Sequence, residues 1–192
     1  MEISASLFAA KGFDNVSLRE IAGLSEIKES SIYNHFNGKD EIRNSLFKLF
    51  AEAAESSRPS EAELEELMQI MGPEEIFKHI VFQVGKQIDE IMENIAMFIH
   101  YEKYRNPIAA EVYEKNMVIG PVNYYQWLIE KMTEKGVIKP VDARTYAEQY
   151  NYVSLTLTQE YFMSRNNLKS KEAVVRKMIS ALMFFCGLMK KD

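Results

Sequence analysis

Cysteine is nearly absent from this sequence. Its one copy in 192 residues, Cys186, sits in the apolar run ALMFFCGLM. That excludes a disulfide framework and makes a reducing, cytoplasmic setting the expected one. A lone thiol in such a run reads as a small hydrophobe rather than a nucleophile. Long hydrophobic runs are missing too. No uninterrupted apolar stretch approaches the roughly 18 residues of a membrane span, and MEISASLFAAKGF lacks the basic start and cleavage site of a signal peptide. There is no excess of positive charge: the formal net charge of −5 argues against indiscriminate binding to nucleic acid or anionic membrane, while leaving a local patch open. Glycine and proline are scarce, at eight and five, and histidine occurs three times.

With so few breakers, and with apolar residues recurring mostly at spacings of three and four, the sequence reads as all-α, with no segment alternating as a strand. The prolines mark where helices meet. SSRPSE (56–61) ends a long helix, and GPEE (72–75) opens another with proline in its first turn and acids behind it. RNP (105–107), IGPV (119–122) and IKPVD (138–142) are expected to separate the rest. The last two helices fall over about 142–165 and 170–189 on the same reading. Segments before Lys39 are short and those after it long, which suggests a small head, residues 1–46, on a larger helical body, residues 47–192.

The head carries a helix start in VSLRE. Ser17 is a good N-cap and Glu20, three residues on, completes a capping box, so a helix should begin at Leu18 and turn Leu18, Ile21 and Ala22 inward. A second short helix is expected from Lys28 to His35, burying Ile32, and a third from Lys39. With ISASLFAAKGF ahead of them, whose Leu7, Phe8 and Phe13 can cover the pair, they make a helix-turn-helix candidate. The second helix of such a unit can enter a major groove, which puts Lys28, Glu29, Ser30, Ser31, Tyr33 and Asn34 on the exposed face. Tyr33 and His35 could donate to phosphate and Asn34 could read an adenine edge. Lys39 would stand at a helix start where free amides favour an anion. A three-helix packing corner with no ligand fits the same pattern equally well.

Three blocks carry more than pattern: LFAAKGF (7–13), VSLREIA (16–22) and SIYNHFNGKDEI (31–42). Together they resemble, without a gap between blocks, the DNA-binding head of the TetR/AcrR family of transcriptional regulators. The resemblance implies a three-helix head joined by a long helix to a C-terminal helical domain that binds an effector and dimerises. It implies a regulator, by family habit a repressor, that acts as a homodimer on a palindromic operator and answers to a small molecule. By position, Ser17 would cap the second helix and contact phosphate, and Arg19 would face the DNA backbone. Lys28 to Asn34 would form the recognition helix, with Ser31, Tyr33, Asn34 and His35 at contact positions, and Lys39 would bind phosphate.

Two departures stand out. Glu26 occupies the position of a turn glycine and Lys28 that of a hydroxyl cap. A lost cap costs about 1 kcal/mol, and a side chain at positive φ is unfavourable, so either the turn is reshaped or the helix starts later, capped by Ser30. Residues 1–56 also carry six basic and nine acidic side chains, a net −3, so few phosphates can be neutralised and the salt dependence of DNA binding should be shallow. A TetR-like dimer whose head has become a protein-interaction module is the alternative these departures leave open.

In the body, the last helix is apolar on two faces. Val175, Ile179, Leu182 and Cys186 form one stripe, and Val174, Met178, Ala181, Phe185 and Leu188 another. A surface helix of a monomer needs one stripe. The second suits an identical subunit, in a four-helix bundle that would also take Tyr150, Leu157 and Tyr161 from the preceding helix. Aromatics and methionines are dense before it, most of them ordinary core. From the resemblance, Phe82, Met97, Phe98, Tyr101, Tyr124, Trp127 and Tyr150 are expected to wall an effector cavity suited to an apolar or aromatic molecule. An enzyme is not expected, nor a metal or organic cofactor. A di-metal bundle needs Glu-x-x-His pairs, but Ile76 precedes His79 and Met97 precedes His100 at that spacing. There is no phosphate loop, Cys-x-x-Cys or G-x-S-x-G.

Overall fold

In the computed structural model, which describes residues 1–164 and 167–191, the scarcity of breakers is realised as a chain of helices. Four come first: α1 (Glu2–Lys11), α2 (Leu18–Leu24), α3 (Glu29–Ile32) and the long α4 (Lys39–Ser56). Then follow α5 (Glu61–Ile70), α6 (Pro73–Lys86), α7 (Glu90–Glu102) and α8 (Pro107–Tyr113). A π-helical stretch (Glu114–Ile119) leads directly into α9 (Gly120–Glu134), and α10 (Ala143–Met163) and α11 (Leu168–Met189) complete the order. None of the described helices is long and apolar enough to cross a membrane.

Helix ends follow local chemistry. Ser17 caps α2, its hydroxyl accepting from the Glu20 amide at 3.1 Å. The Glu20 carboxylate is engaged by Lys11. Asn106 accepts from Ile108 and Ala109 ahead of the first-turn Pro107, and Asp142 accepts from Thr145 at the start of α10. The turn after α2 keeps the geometry that a glycine would favour. Glu26 is left-handed at φ 55°, with Glu26 N–H donating to Gly23 O at 3.3 Å and Ile27 N–H to Ala22 O at 3.0 Å. These are the two bonds of a Schellman turn, with glutamate where glycine usually stands. The turn is therefore strained rather than reshaped. Nor does the next helix start late: Lys28 is the N-cap of α3, without a side-chain bond, and Ser30 lies inside the helix. α3 also ends earlier than His35. Asn34 and His35 continue it as turns, their amides donating three residues back to Ser31 O and Ile32 O.

IGPV does not separate two helices as expected. Pro121 has no N–H, so the Met117 carbonyl loses the partner that an α-helix would supply four residues on. The register opens into the π-helical stretch, and the buried Asn151 of α10 donates its amide to Met117 O at 3.2 Å. A side chain thus replaces the missing backbone donor.

Packing divides the chain into two compact units, Met1–Ser57 with Val84–Asn116, and Arg58–Gln83 with Met117 onward. This differs from a division after residue 46: α7 packs on α1 and α4, so the head shares its core with a helix from later in the chain. That core is aromatic. Phe8, Phe47 and Phe98 are almost wholly buried, with Phe98 centred 5.1 Å from Phe8 and 5.3 Å from Phe47. In the second unit, Ile76, Phe77 and Ile80 of α6, Leu128 and Met132 of α9, and Leu182 and Cys186 of α11 form the interior.

Two expectations follow. Glu26→Gly should stabilise the protein by about 1 kcal/mol, since left-handed backbone costs a side-chain-bearing residue about that much; urea denaturation reads it, and a loss of stability would contradict the strained turn. Asn151→Leu, which strands Met117 O in the interior, should cost about 1–3 kcal/mol in the same assay.

Candidate nucleic-acid interface and effector region

The residues expected to meet DNA are presented at the surface of the first unit. Ser17, Arg19, Lys28, Glu29, Ser30, Tyr33, Asn34 and His35 are exposed, and Ser31 is half-buried. The placement follows from the local fold: Ile21, Ala22 and Ile32 point into the core, which turns the polar residues between them outward. An aromatic hydroxyl, an amide and an imidazole in consecutive positions offer donors and acceptors suited to phosphate oxygens and base edges.

Lys39, expected to bind phosphate, has partners within the head. Its half-buried ammonium donates to Phe13 O at 2.7 Å and to Val16 O at 2.8 Å, and it lies 4.3 Å from the centre of the Phe13 ring. Arg43 approaches that ring to 4.8 Å and pairs with Asp40 at 2.9 Å. Lys39 is thus committed to the loop between α1 and α2. The amino end of α4 is likewise partly occupied from within, the Glu41 carboxylate accepting from the Asn37 backbone and side-chain amides, both at 2.7 Å. Lys11 is paired with Glu20, and Lys48 stands 3.7 Å from Glu52. Arg19 on α2 and Lys28 at the start of α3 are exposed cations.

The expected effector wall is only partly assembled. Tyr124 and Trp127 of α9 have ring centres 6.1 Å apart, Tyr124 adjoins Tyr125 at 5.6 Å, and Tyr125 meets Tyr150 of α10 edge-on at 5.0 Å. Burial pushes the hydroxyl pKa values of Tyr124, Tyr125 and Tyr150 up, so all three keep their protons near neutral pH. Met97 and Phe98, by contrast, are interior to the first unit, Phe98 within its aromatic core. Phe82 and Tyr101 are more than half exposed. Beside Tyr125 and Tyr150, and closed by Phe77, Leu182, Phe185 and Cys186, lies a cavity of about 10 Å³, enough for about one water molecule. The second unit also holds polar residues that periodicity did not single out. The Arg58 guanidinium lies 5.4 Å from the Tyr124 ring centre and donates to Gly120 O at 3.2 Å. His79 and Gln83 carry buried polar atoms on α6. The signal available in the sequence was a histidine and a glutamine one turn apart among Ile76, Phe77, Ile80 and Val84.

The expected dimer stripe is also divided. Leu182 and Cys186 are buried in the second unit and cannot serve as surface, and burial raises the Cys186 thiol pKa to about 11. Tyr150, Leu157 and Tyr161 are half-buried. Val175 and Ile179 are exposed, and the structure adds Phe184 and Leu188 on α11 and Tyr152, Val153 and Met163 on α10. A 22-residue helix drifts around its axis relative to the helices that cover it. One stripe is therefore buried along part of its length and open along the rest.

No curated protein matches the chain. Residues 2–46 match the family described as bacterial regulatory proteins, tetR family. Among solved structures, a protein from Mesorhizobium loti assigned to the TetR family superposes with a TM-score of 0.71 at 17% identity, over 98% of this chain and 94% of that one. A transcriptional regulator from Saccharomonospora viridis, solved in complex with choline, gives 0.69 at 18%, over 97% and 92%. The ketosteroid transcriptional regulator of Mycobacterium tuberculosis gives 0.66 at 16%, over 100% and 93%. At these identities the likeness is one of fold, and it extends along nearly the whole chain. The head, residues 2–46, thus carries the sequence pattern of bacterial regulatory proteins of the tetR family, and the chain as a whole shares its fold with solved transcriptional regulators.

Proposed function

We propose that the chain is a ligand-responsive repressor that binds a palindromic operator as a homodimer and is released by a small apolar or aromatic effector. Residues 1–46 would act as the DNA-binding domain and residues 47–192 as the effector-binding and dimerisation domain, in the cytoplasm. The observation that carries the reading is the outward face of α3, where Lys28, Glu29, Ser30, Tyr33, Asn34 and His35 stand exposed together behind a fully formed Schellman turn. The apolar side chains exposed on α11, Val175, Ile179, Phe184 and Leu188, support a second copy as partner, since such patches mark association surfaces. The choline complex and the ketosteroid regulator support a small organic effector. Release then follows from linkage. A ligand that binds better to the conformation whose two heads miss successive major grooves, about 34 Å apart, weakens DNA binding by its differential affinity.

A second reading, a TetR-like dimer with a head turned to protein interaction, is favoured by one observation: Lys11, Lys39 and Arg43 are all engaged within the head. Selection of bound sequences from a random DNA pool at about 50 mM salt, a condition that favours phosphate contacts, separates the two. A palindromic site is expected. Absence of enrichment would favour the second reading.

Two substitutions refine the test. Lys28→Gln should weaken binding to all sequences and reduce the slope of log K against log salt by about 1. Lys39→Met should leave that slope unchanged and destabilise the head by about 2 kcal/mol, as expected for a charged donor lost from two carbonyls. The reverse pattern would restore Lys39 as a phosphate ligand. Ile179→Asp should shift the protein toward monomer in sedimentation and abolish operator binding while leaving the circular dichroism of the helices intact. An unchanged mass would remove α11 from the interface.

A further inference from the structure

Three side-chain atoms of the second unit are buried without a hydrogen-bond partner: His79 Nε2, Gln83 Oε1 and Tyr124 Oη. Buried polar atoms are nearly always paired, because water is given up to bury them, and each exception needs a reason. His79 and Gln83 lie one turn apart on α6, so both side chains emerge from the same face. Tyr124 belongs to α9. Glu63 of α5 relates His79 to Tyr124: its carboxylate stands 3.7 Å from His79 Nε2, outside hydrogen-bond range, and its charge is felt at the Tyr124 hydroxyl, opposed there by Arg58. Two helices thus carry an acceptor, an imidazole nitrogen and a hydroxyl, with Glu63 of α5 close to the imidazole and Trp127 beside the Tyr124 ring.

The chemistry of the missing partner can be read from this set. Gln83 Oε1 requires a donor. Tyr124, protonated, can give a hydrogen bond as well as take one, so the complementary group must both donate and accept, as a hydroxyl does. Arg58 and Glu63 flank Tyr124 with opposite charges. An anion would face the carboxylate and a cation the guanidinium, so the best-matched ligand is neutral. Its body meets aromatic rings. We propose that His79, Gln83 and Tyr124 form a recognition site for the hydroxyl group of a neutral, aromatic or apolar small molecule. This deepens the effector reading and rests on it for the link to DNA release.

The pair p-cresol and toluene, which differ by one hydroxyl, provides the test. Trp127 is the single tryptophan and lies beside Tyr124, so its fluorescence reports binding to the full-length chain. Saturable binding of p-cresol, at least about tenfold tighter than toluene, is expected. Gln83→Leu and Tyr124→Phe should each reduce that preference to about threefold or less. Each variant should also melt about 2–4 °C higher without ligand, because it removes a buried group that has no bond to lose. Equal binding of the two probes would overturn the hydroxyl site while leaving an effector cavity in place. Lower melting of both variants would show that these groups are bonded in the free protein and would also overturn it, as would failure of p-cresol to bind. The DNA selection is independent of all of these outcomes.

Discussion

The ammonium of Lys39 holds the head in one arrangement. It stands on the first residue of α4 and donates to two carbonyls of the loop between α1 and α2, so it ties the start of α4 to that loop. Phe13 lies under it and under Arg43, which gives the half-buried charge a polarisable surface as well as hydrogen bonds. Everything between residues 16 and 39, including the left-handed Glu26 and the short α3, is strung between these fixed ends. A four-residue helix has almost no stability of its own. Its orientation must come from the frame, and the frame depends on this lysine and on Ile21, Ala22 and Ile32 beneath it.

That use of charge shapes the electrostatics of the surface. A head with a net charge of −3 over residues 1–56 has few cations to present, and several of them serve the fold. The remaining face is rich in neutral donors and acceptors, with Arg19 and Lys28 as its exposed cations. Contacts of that kind are directional and depend little on counterion release. Discrimination between sequences would then rest on Tyr33, Asn34 and His35 more than on the general pull of the phosphate backbone.

How much of this was legible in the sequence depended on range. Ser17, Asn106 and Asp142 act on their own helices, so the starts of α2, α8 and α10 could be read from neighbouring letters. Glu26 could be read as a residue in a glycine position, though not whether the turn would yield; the Schellman bonds held and the backbone took the strain. IGPV misled because a proline ends a helix only where nothing replaces its missing N–H, and the replacement, Asn151, lies thirty residues downstream. Phe98 is ambiguous in the sequence for the same reason. An aromatic on an apolar helix face looks the same whether it meets a ligand or Phe8, and the choice was made by α1, far away in the chain. Leu182 and Cys186 illustrate the limit for stripes: periodicity finds the apolar face, and only the covering helices decide which part of it is closed.

The polar atoms around Tyr124 invert that lesson. Apolar residues at helical spacing are ambiguous because burial satisfies them anywhere, whereas His79, Gln83 and Tyr124 are satisfied only by a partner with matching hydrogen bonds. Replacing such groups by hydrocarbon of similar shape would suit the free protein better, so the fold forgoes stability where they stand. The cavity of about 10 Å³ beside Tyr125 and Tyr150 has no room for a molecule of drug-like size. A ligand seated there would have to separate side chains, and on the proposed reading the energy for that separation comes from bonds the free protein lacks. Unpartnered polar atoms next to a closed aromatic interior supply such bonds. On the proposed reading, occupancy and rearrangement of the second unit would be one event, which is the coupling that effector-controlled release from DNA would require.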